Sequence, residues 1–205
     1  GATEFYSGGM KIIPVGNVAG VMDPAALEAT IARFGGRFGL PTVLSLTNAT
    51  ECGTVYSPAA VTELTAIGRQ HGLVSHMDGA RFGNAVAALN ASPAEVTWKA
   101  GIDILSFGGT KNGCMGVEAV VIFDPAKAWE FELRRKRGGH LFSKHRYLSA
   151  QMEAYLEDDL WLRLATHANR MGARLVEGMK TVEGAHLRHP AGANMLFPEW
   201  SAGTH

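Results

Sequence analysis

Cysteine is scarce in this chain, neither sign of charge is in excess, and no long apolar run occurs. Only Cys52 and Cys114 are present among 205 residues, which argues against a disulfide framework and for reduced, cytosolic thiols. Lysine plus arginine equals aspartate plus glutamate at 19 each, so the overall charge gives no reason to expect a nucleic-acid or membrane partner. No segment approaches the roughly 18 apolar residues that cross a membrane. The remaining expectation is a globular, cytoplasmic chain, compatible with a small or zwitterionic substrate.

The two ends of the sequence also lack familiar features. The opening, residues 1–5, has no basic stretch followed by an apolar core, so no export signal is visible. The chain begins without Met and stops at residues 201–205, directly after an apolar, strand-like segment. We therefore expect the sequence to be a fragment of a longer protein.

Strand-like and helix-like segments alternate along most of the chain, which is typical of an α/β fold with a mostly parallel sheet. The predicted strands are 11–15, 42–47, 73–77, 102–107 and 118–123, followed later by 185–189 and 194–197. The predicted helices, several opened by Ser-Pro or Asp-Pro pairs, are 23–34, 57–72, 81–89, a short one from 92, 124–137, and 143 to about 182. We expect one large domain over 1–183 and the beginning of a small one over 184–205.

Two short segments stand out, His76-Met77-Asp78-Gly79-Ala80-Arg81 and Gly108-Gly109-Thr110-Lys111-Asn112-Gly113. Each closes an apolar, β-prone run, so the side chains of Asp78 and Lys111 should both lie at strand ends. Catalytic groups in open α/β sheets collect at that edge. Either segment alone reads equally well as a turn or a solvated hairpin tip, and the pairing of the two gives the prediction its weight.

The residue types at these strand ends suit pyridoxal phosphate. A buried carboxylate, here Asp78, keeps the pyridinium nitrogen of that cofactor protonated, so that the ring accepts electrons from a bond breaking at Cα. Lys111 suits the Schiff base, because a lysine held in a partly desolvated pocket near other cations loses basicity and becomes a usable nucleophile. The flanking glycines let backbone approach a flat ring, and Thr110 offers a hydroxyl.

Five blocks of sequence occur in the order of a known family: Ala2-Thr3-Glu4-Phe5 with Gly8-Gly9, Leu46-Thr47-Asn48-Ala49-Thr50-Glu51 with Gly53-Thr54-Val55, Asp78-Gly79-Ala80-Arg81, Thr110-Lys111-Asn112-Gly113, and Ala193-Asn194-Met195-Leu196-Phe197. Together they resemble the L-threonine aldolases, in the β-eliminating lyase group of fold-type I pyridoxal phosphate enzymes. The resemblance implies a three-layer α/β sandwich of the aspartate aminotransferase type, plus the start of a small C-terminal α+β domain. It also implies retro-aldol cleavage of L-threonine, L-allo-threonine and related β-hydroxy-α-amino acids to glycine and an aldehyde, in a cytoplasmic homodimer or homotetramer with sites between subunits.

The same resemblance implies roles for single residues. Arg81 would contact the substrate carboxylate or the phenolic oxygen of the cofactor, with a surface arginine as the alternative. Asn48 would reach the same oxygens, with a turn asparagine as the alternative. Thr50 stands where many family members have a histidine that contacts the substrate β-hydroxyl, so the base is left unassigned. Lys144 or Lys136 would reach the cofactor phosphate of a neighbouring subunit.

Other polar residues have simpler interpretations beside the functional ones. His76 precedes Asp78 by two positions, so strand alternation puts both on one face, where the imidazole could bond the carboxylate; a satisfied core histidine fits equally. The basic run 134–137 lacks interleaved aromatics, and its simplest interpretation is a solvated helix end rather than a nucleic-acid site. The scattered histidines show no metal-ligand pairing.

Two alternatives remain open from the sequence. One is another reaction on the same scaffold, β-elimination or transamination, which pyruvate or ammonia production would separate from aldehyde production. The other is a catalytically inactive fragment, because the resemblance places the phosphate-cradling turn and the ring-stacking side chain upstream of residue 1.

Overall fold

The structure is a computed structural model that describes residues 2–34 and 39–201. The strands are β1 (Asn17–Val18), β2 (Val21–Met22), β3 (Val43–Thr47), β4 (Val74–Gly79), β5 (Ile104–Gly108), β6 (Glu118–Ile122), β7 (Ala185–Leu187) and β8 (Pro198–Trp200). The helices are α1 (Ala2–Tyr6), α2 (Pro24–Phe34), α3 (Pro58–Gln70), α4 (Phe82–Leu89), α5 (Pro93–Val96), α6 (Ala128–Arg137), α7 (Arg146–Leu156) and α8 (Leu160–Met179). Short 3-10 helices cover Trp98–Ala100, Thr110–Asn112, Pro125–Lys127 and Glu157–Asp159.

The central sheet has the strand order β3-β4-β5-β6. The first three strands are parallel and β6 is antiparallel to β5, which confirms the predicted mostly parallel α/β sheet. α3 connects β3 to β4, and α4 and α5 connect β4 to β5, as crossover connections between parallel strands require. The carboxyl ends of β3, β4 and β5 therefore meet at one edge.

The two faces of this sheet are covered unequally. Alternate side chains on the face packed against α3 and α4 are buried, namely Leu44, Leu46, Ser75, Met77, Leu105 and Phe107. The side chains between them are half-buried or exposed, among them Val43, Ser45, His76, Asp78, Ile104 and Ser106. The period of two along each strand thus places Asp78 on the more open face.

Serine-proline pairs start two helices as predicted. Ser57 accepts a hydrogen bond from the backbone of Ala60 at the start of α3. Ser92 and Glu95 form a reciprocal capping box at the start of α5, so the first N–H groups of both helices have partners. No helix among the described residues is long and apolar enough to cross a membrane.

Two predicted strands are wrong. Residues 11–15 form no strand, and the hairpin of β1 and β2 follows them instead; Pro14 within that run supplies no N–H for a ladder. Residues 194–197 are also not a strand, because the chain at 192–195 packs against the loop after β3. The amide of Gly192 donates to the carbonyl of Gly53, and β8 begins only at Pro198, where it pairs with β7. The domain division near residue 183 stays a prediction.

We expect Phe82→Ala to lower the free energy of unfolding by about 3–5 kcal/mol, the usual cost of deleting a buried aromatic ring. Phe82 is 2% exposed, stacks on Trp161 at 6.1 Å between ring centroids, and meets the edge of Phe107 at 6.0 Å. Urea denaturation measures the change. Phe5→Ala on α1 is the matched control, because Phe5 is 79% exposed and its loss should cost little. Equal effects of the two substitutions would contradict the packing described here.

Candidate functional site

The carboxyl ends of three parallel strands come together at the sheet edge. The amide of Asn48, the first residue after β3, donates to the carbonyl of Asp78 on β4 at 3.0 Å. Asp78 is in register with Ser106 on β5, and the chain continues from β5 into the turn that carries Lys111. The structure therefore brings the predicted carboxylate and the predicted lysine turn to adjacent strand ends.

The glycines before Lys111 are needed for this approach. A Cβ on Gly108 would lie 2.5 Å from the carbonyl oxygen of Ala80, and one on Gly109 would lie 2.5 Å from the carbonyl oxygen of Val117. At Gly108, any larger residue would push the Lys111 turn away from the end of β4. Both glycines therefore pack closely against backbone carbonyl groups of the same chain.

Asp78 is half-buried and keeps free hydrogen-bonding capacity. Its Oδ1 accepts the backbone N–H of Ala80 at 3.0 Å, an arrangement that fixes the turn between β4 and α4. Within residues 2–34 and 39–201, no donor is bound to Oδ2. The carboxylate can therefore accept a hydrogen bond from a ligand at the sheet edge.

Lys111 lies on the 3-10 helix Thr110–Asn112, and its side chain is exposed. Its ammonium makes no hydrogen bond or ion pair with any residue that the structure describes. Next to it, the side-chain amide of Asn112 donates to the hydroxyl of Tyr155 at 2.6 Å and to the carbonyl of Trp161 at 2.9 Å. Lys111 therefore extends from a turn that is hydrogen-bonded to the aromatic core.

Thr110 uses its hydroxyl within the chain. It donates to Glu118, and the same carboxylate accepts the backbone N–H groups of Gly109 and Thr110. A contact between Thr110 and the cofactor therefore stays a prediction. The hydrogen bond to Glu118 does not favour it, because the hydroxyl already donates within the chain. Sequence reasoning missed both Glu118 and Asn112; the signal for Glu118 was its position at the start of the strand that returns beside β5.

Arg81 carries a guanidinium group with unused capacity. Its side chain is 17% exposed, and its Nη1 lies 3.5 Å from Oε1 of Glu51. That contact is an ion pair without a hydrogen bond, and Nη1 is otherwise buried without a partner among the described residues. A buried donor of this kind costs free energy unless something binds it. The binding of an anionic ligand by Arg81 stays a prediction.

His76 lies on the same face of the sheet as Asp78, as strand alternation predicts. The predicted hydrogen bond between its imidazole and the Asp78 carboxylate is not formed, and the alternative of a satisfied core histidine fits the structure. Its Nδ1 is 2.9 Å from the hydroxyl of Ser45 on β3, and its Nε2 is 2.9 Å from the hydroxyl of Ser106 on β5. Both ring nitrogens are therefore occupied by serines of the neighbouring strands. Burial lowers the pKa of His76 below its ordinary value of 6.5, and the nearby charge of Asp78 partly opposes this.

Asn48 and Thr50 are fully buried in the loop after β3. The amide oxygen of Asn48 accepts the N–H of Tyr56 at 3.2 Å, and its nitrogen donates to the carbonyl of Tyr56 at 3.3 Å. The hydroxyl of Thr50 pairs with that of Thr54 at 2.7 Å and accepts the N–H of Cys52. These contacts fit the turn-asparagine alternative, and a ligand contact by either residue stays a prediction.

In the basic segment after β6, Arg134, Lys136 and Arg137 are exposed and Arg135 is half-buried. Arg134 and Arg135 form ion pairs with Glu130 and Glu132 on α6 itself, which supports the solvated helix end. Lys144 has a positive φ of 64° and an exposed side chain, and its reach to a second subunit stays a prediction. Cys52 and Cys114 form no disulfide.

A family model for β-eliminating lyases matches residues 1–200. The chain belongs to this family. It is 44% identical over 202 residues to the low specificity L-threonine aldolase of Pseudomonas aeruginosa, covering 98% of this chain and 58% of that protein. The solved structure of Leishmania major threonine aldolase superimposes with a TM-score of 0.85 at 27% identity, covering 94% of this chain and 56% of the other.

A PLP-bound protein from Clostridium difficile 630 shares the fold alone, with a TM-score of 0.68 at 15% identity over 97% of this chain and 53% of its own. These neighbours confirm the predicted α/β fold. The β-eliminating lyase chain described here spans little more than half the length of the relatives it matches.

We expect the stability of this β-eliminating lyase chain to fall in mild acid because of His76. Since folding lowers the pKa of His76 from 6.5, the unfolded chain binds more protons just below that pH, and the free energy of unfolding decreases as the pH falls through this range. Urea denaturation from about pH 7.5 to about pH 5.5 measures the loss. His76→Gln should lose less stability over the same range.

His71→Gln is the matched control for this measurement, because His71 is an exposed histidine at the end of α3. Its pH profile should follow that of the unsubstituted chain. A profile of His76→Gln that also follows it would contradict the burial of a neutral imidazole between the two serines.

Proposed function

We propose that this chain forms the cofactor-binding part of a pyridoxal phosphate-dependent aldolase, a carbon-carbon lyase that cleaves L-threonine and related β-hydroxy-α-amino acids to glycine and an aldehyde. The observation that carries the proposal is the meeting of Asp78 and the Lys111 turn at neighbouring strand ends. The 44% identity to a protein named low specificity L-threonine aldolase supports the choice of reaction.

The residues at this edge fit the cofactor. When bound, pyridoxal phosphate supplies an electron sink for a bond breaking at Cα of an amino acid. Asp78 would hold a proton on the ring nitrogen through its free Oδ2, because a carboxylate beside that nitrogen favours the charged form. Lys111 would bind the cofactor aldehyde through an amine that makes no other bond among the described residues.

Arg81 would bind and orient the carboxylate of the amino acid. Arg81 lies three residues after Asp78, at the N-terminus of α4. Its Nη1, which has no hydrogen-bond partner among the described residues, provides the donor. A guanidinium presents two parallel N–H groups to a carboxylate, so it fixes both position and direction of the substrate. Asn48 and Thr50 would line the β3 side of the substrate site. Both belong to the loop after β3 that also contains Glu51.

The chain would also self-associate as a homodimer or homotetramer in the cytoplasm, with Lys144 directed to the phosphate of a neighbouring site. Large exposed apolar side chains support the association, including Trp129, Phe142 and Tyr147. No nucleic-acid or membrane partner enters this proposal. Residues 1–183 would form the large cofactor domain and 184–205 the start of the small one.

Lys111→Ala should abolish covalent attachment of pyridoxal phosphate, because it removes the only amine proposed to bind the aldehyde. The measurement is the visible absorption of the purified chain mixed with the cofactor, followed by borohydride reduction and peptide mass analysis. Lys99→Ala is the control, since Lys99 is an exposed lysine beside Trp98, away from the sheet edge. A loaded chain should then release aldehyde from threonine. Attachment that survives Lys111→Ala, or formation of 2-oxobutyrate and ammonia from threonine in place of aldehyde and glycine, would contradict the proposal.

Arg81→Gln should weaken the binding of glycine to the cofactor-loaded chain by about tenfold or more, because a hydrogen bond to a charged group contributes roughly 1.5–3 kcal/mol. A spectral titration with glycine gives the apparent dissociation constant. Glu51→Gln removes the ion pair of Arg81 but leaves its guanidinium in place, so it should bind glycine at least as well as the unsubstituted chain. Unchanged glycine binding in Arg81→Gln would exclude this role.

A further inference from the structure

We propose that Glu118 is a positioning residue that fixes the turn from which Lys111 extends. The inference rests on the proposed function, because the turn needs a fixed geometry only if Lys111 is the cofactor lysine. Glu118 would touch neither cofactor nor substrate. Its effect would pass through the backbone of Gly109 and Thr110.

The pairing of β5 and β6 places the carboxylate at this turn. Gly108 and Glu118 are partners in the antiparallel register, so Glu118 lies beside the last residue of β5. Its Oε2 accepts the backbone N–H of Gly109 at 3.1 Å. Its Oε1 accepts the backbone N–H of Thr110 at 3.3 Å and also the hydroxyl of Thr110.

These three hydrogen bonds have a clear physical use. The first N–H groups of a helical turn have no partner within the turn, and an anionic oxygen is the acceptor that stabilises them best. Thr110 begins the 3-10 helix and Gly109 precedes it, so Glu118 binds two of the N–H groups that the turn leaves open. The carboxylate performs this role although the side chain is exposed.

Lys111 is thereby held from both sides. Glu118 binds the two residues before it, and Asn112, the residue after it, is bound to Tyr155 and Trp161. Lys111 itself makes no side-chain bond within the described chain. The position of its amine is consequently set by its neighbours, and a small displacement of a reacting group is enough to slow a reaction greatly.

Glutamine cannot replace the carboxylate. Both oxygens of Glu118 accept hydrogen bonds from donors, so either orientation of a glutamine amide at this position would turn its NH₂ group toward an N–H or a hydroxyl. We expect Glu118→Gln to slow the appearance of the Lys111 Schiff-base band by about tenfold. The rate is measured by rapid mixing of the chain with pyridoxal phosphate. Glu63→Gln on α3 makes the same change of charge at an exposed site and should leave the rate unchanged.

Thr110 provides the conservative comparison. Thr110→Val removes the hydroxyl that donates to Glu118 at similar size and should slow the band. In the double variant that carries both Glu118→Gln and Thr110→Val, the second substitution should slow the band little further, because both remove the same interaction. The inference would be overturned if the two substitutions slowed the band additively, or if the band appeared as fast in Glu118→Gln as in the unsubstituted chain. Equal melting temperatures would show that the rates do not report general unfolding.

Amide hydrogen exchange tests the same hydrogen bonds without the cofactor. In Glu118→Gln the backbone N–H groups of Gly109 and Thr110 should exchange faster, while those of β4, which is paired on both sides, stay protected. Unchanged exchange would overturn the inference. Faster exchange in a chain whose Lys111 never binds pyridoxal phosphate would support the role of Glu118 in the turn and contradict the proposed function, so the two failures are separable.

Discussion

The close approach of Gly108 to the backbone of Ala80 is the constraint on which the site depends. It joins the end of β5 to the turn after β4, and a side chain at Gly108 would occupy the place of the Ala80 carbonyl. Because the approach is made, Asp78 and Lys111 reach one sheet edge although Asp78 lies on β4 and Lys111 lies on the turn after β5. Asn112 then ties the same turn to the aromatic core, so packing and chemistry are coupled at this point.

Much of this arrangement was predictable from local patterns. Apolar runs ending in Asp78-Gly79 and in Gly108-Gly109 predicted two strand ends, and Ser-Pro pairs predicted where α3 and α5 begin. These features depend on residues close together in the sequence, so a pattern of a few positions contains them. The parallel pairing that brings the two ends together follows from the alternation of strands and helices.

The remainder depends on which distant residues become neighbours. His76 was correctly placed on the face of Asp78, but its partners Ser45 and Ser106 lie on other strands, and only the register identifies them. The role of Glu118 likewise follows from its antiparallel pairing with Gly108. Residues 11–15 have the composition of a strand without a neighbouring strand to pair with among the described residues. Composition therefore predicted the element types better than their partners.

The central claim is that Asp78 and Lys111 form one cofactor site. A crystal structure of this chain grown with pyridoxal phosphate tests it most directly. We expect the cofactor to be covalently attached to Lys111, with its ring nitrogen within hydrogen-bonding distance of the Asp78 carboxylate. A cofactor bound through another amine, or with its ring nitrogen away from Asp78, would contradict the claim.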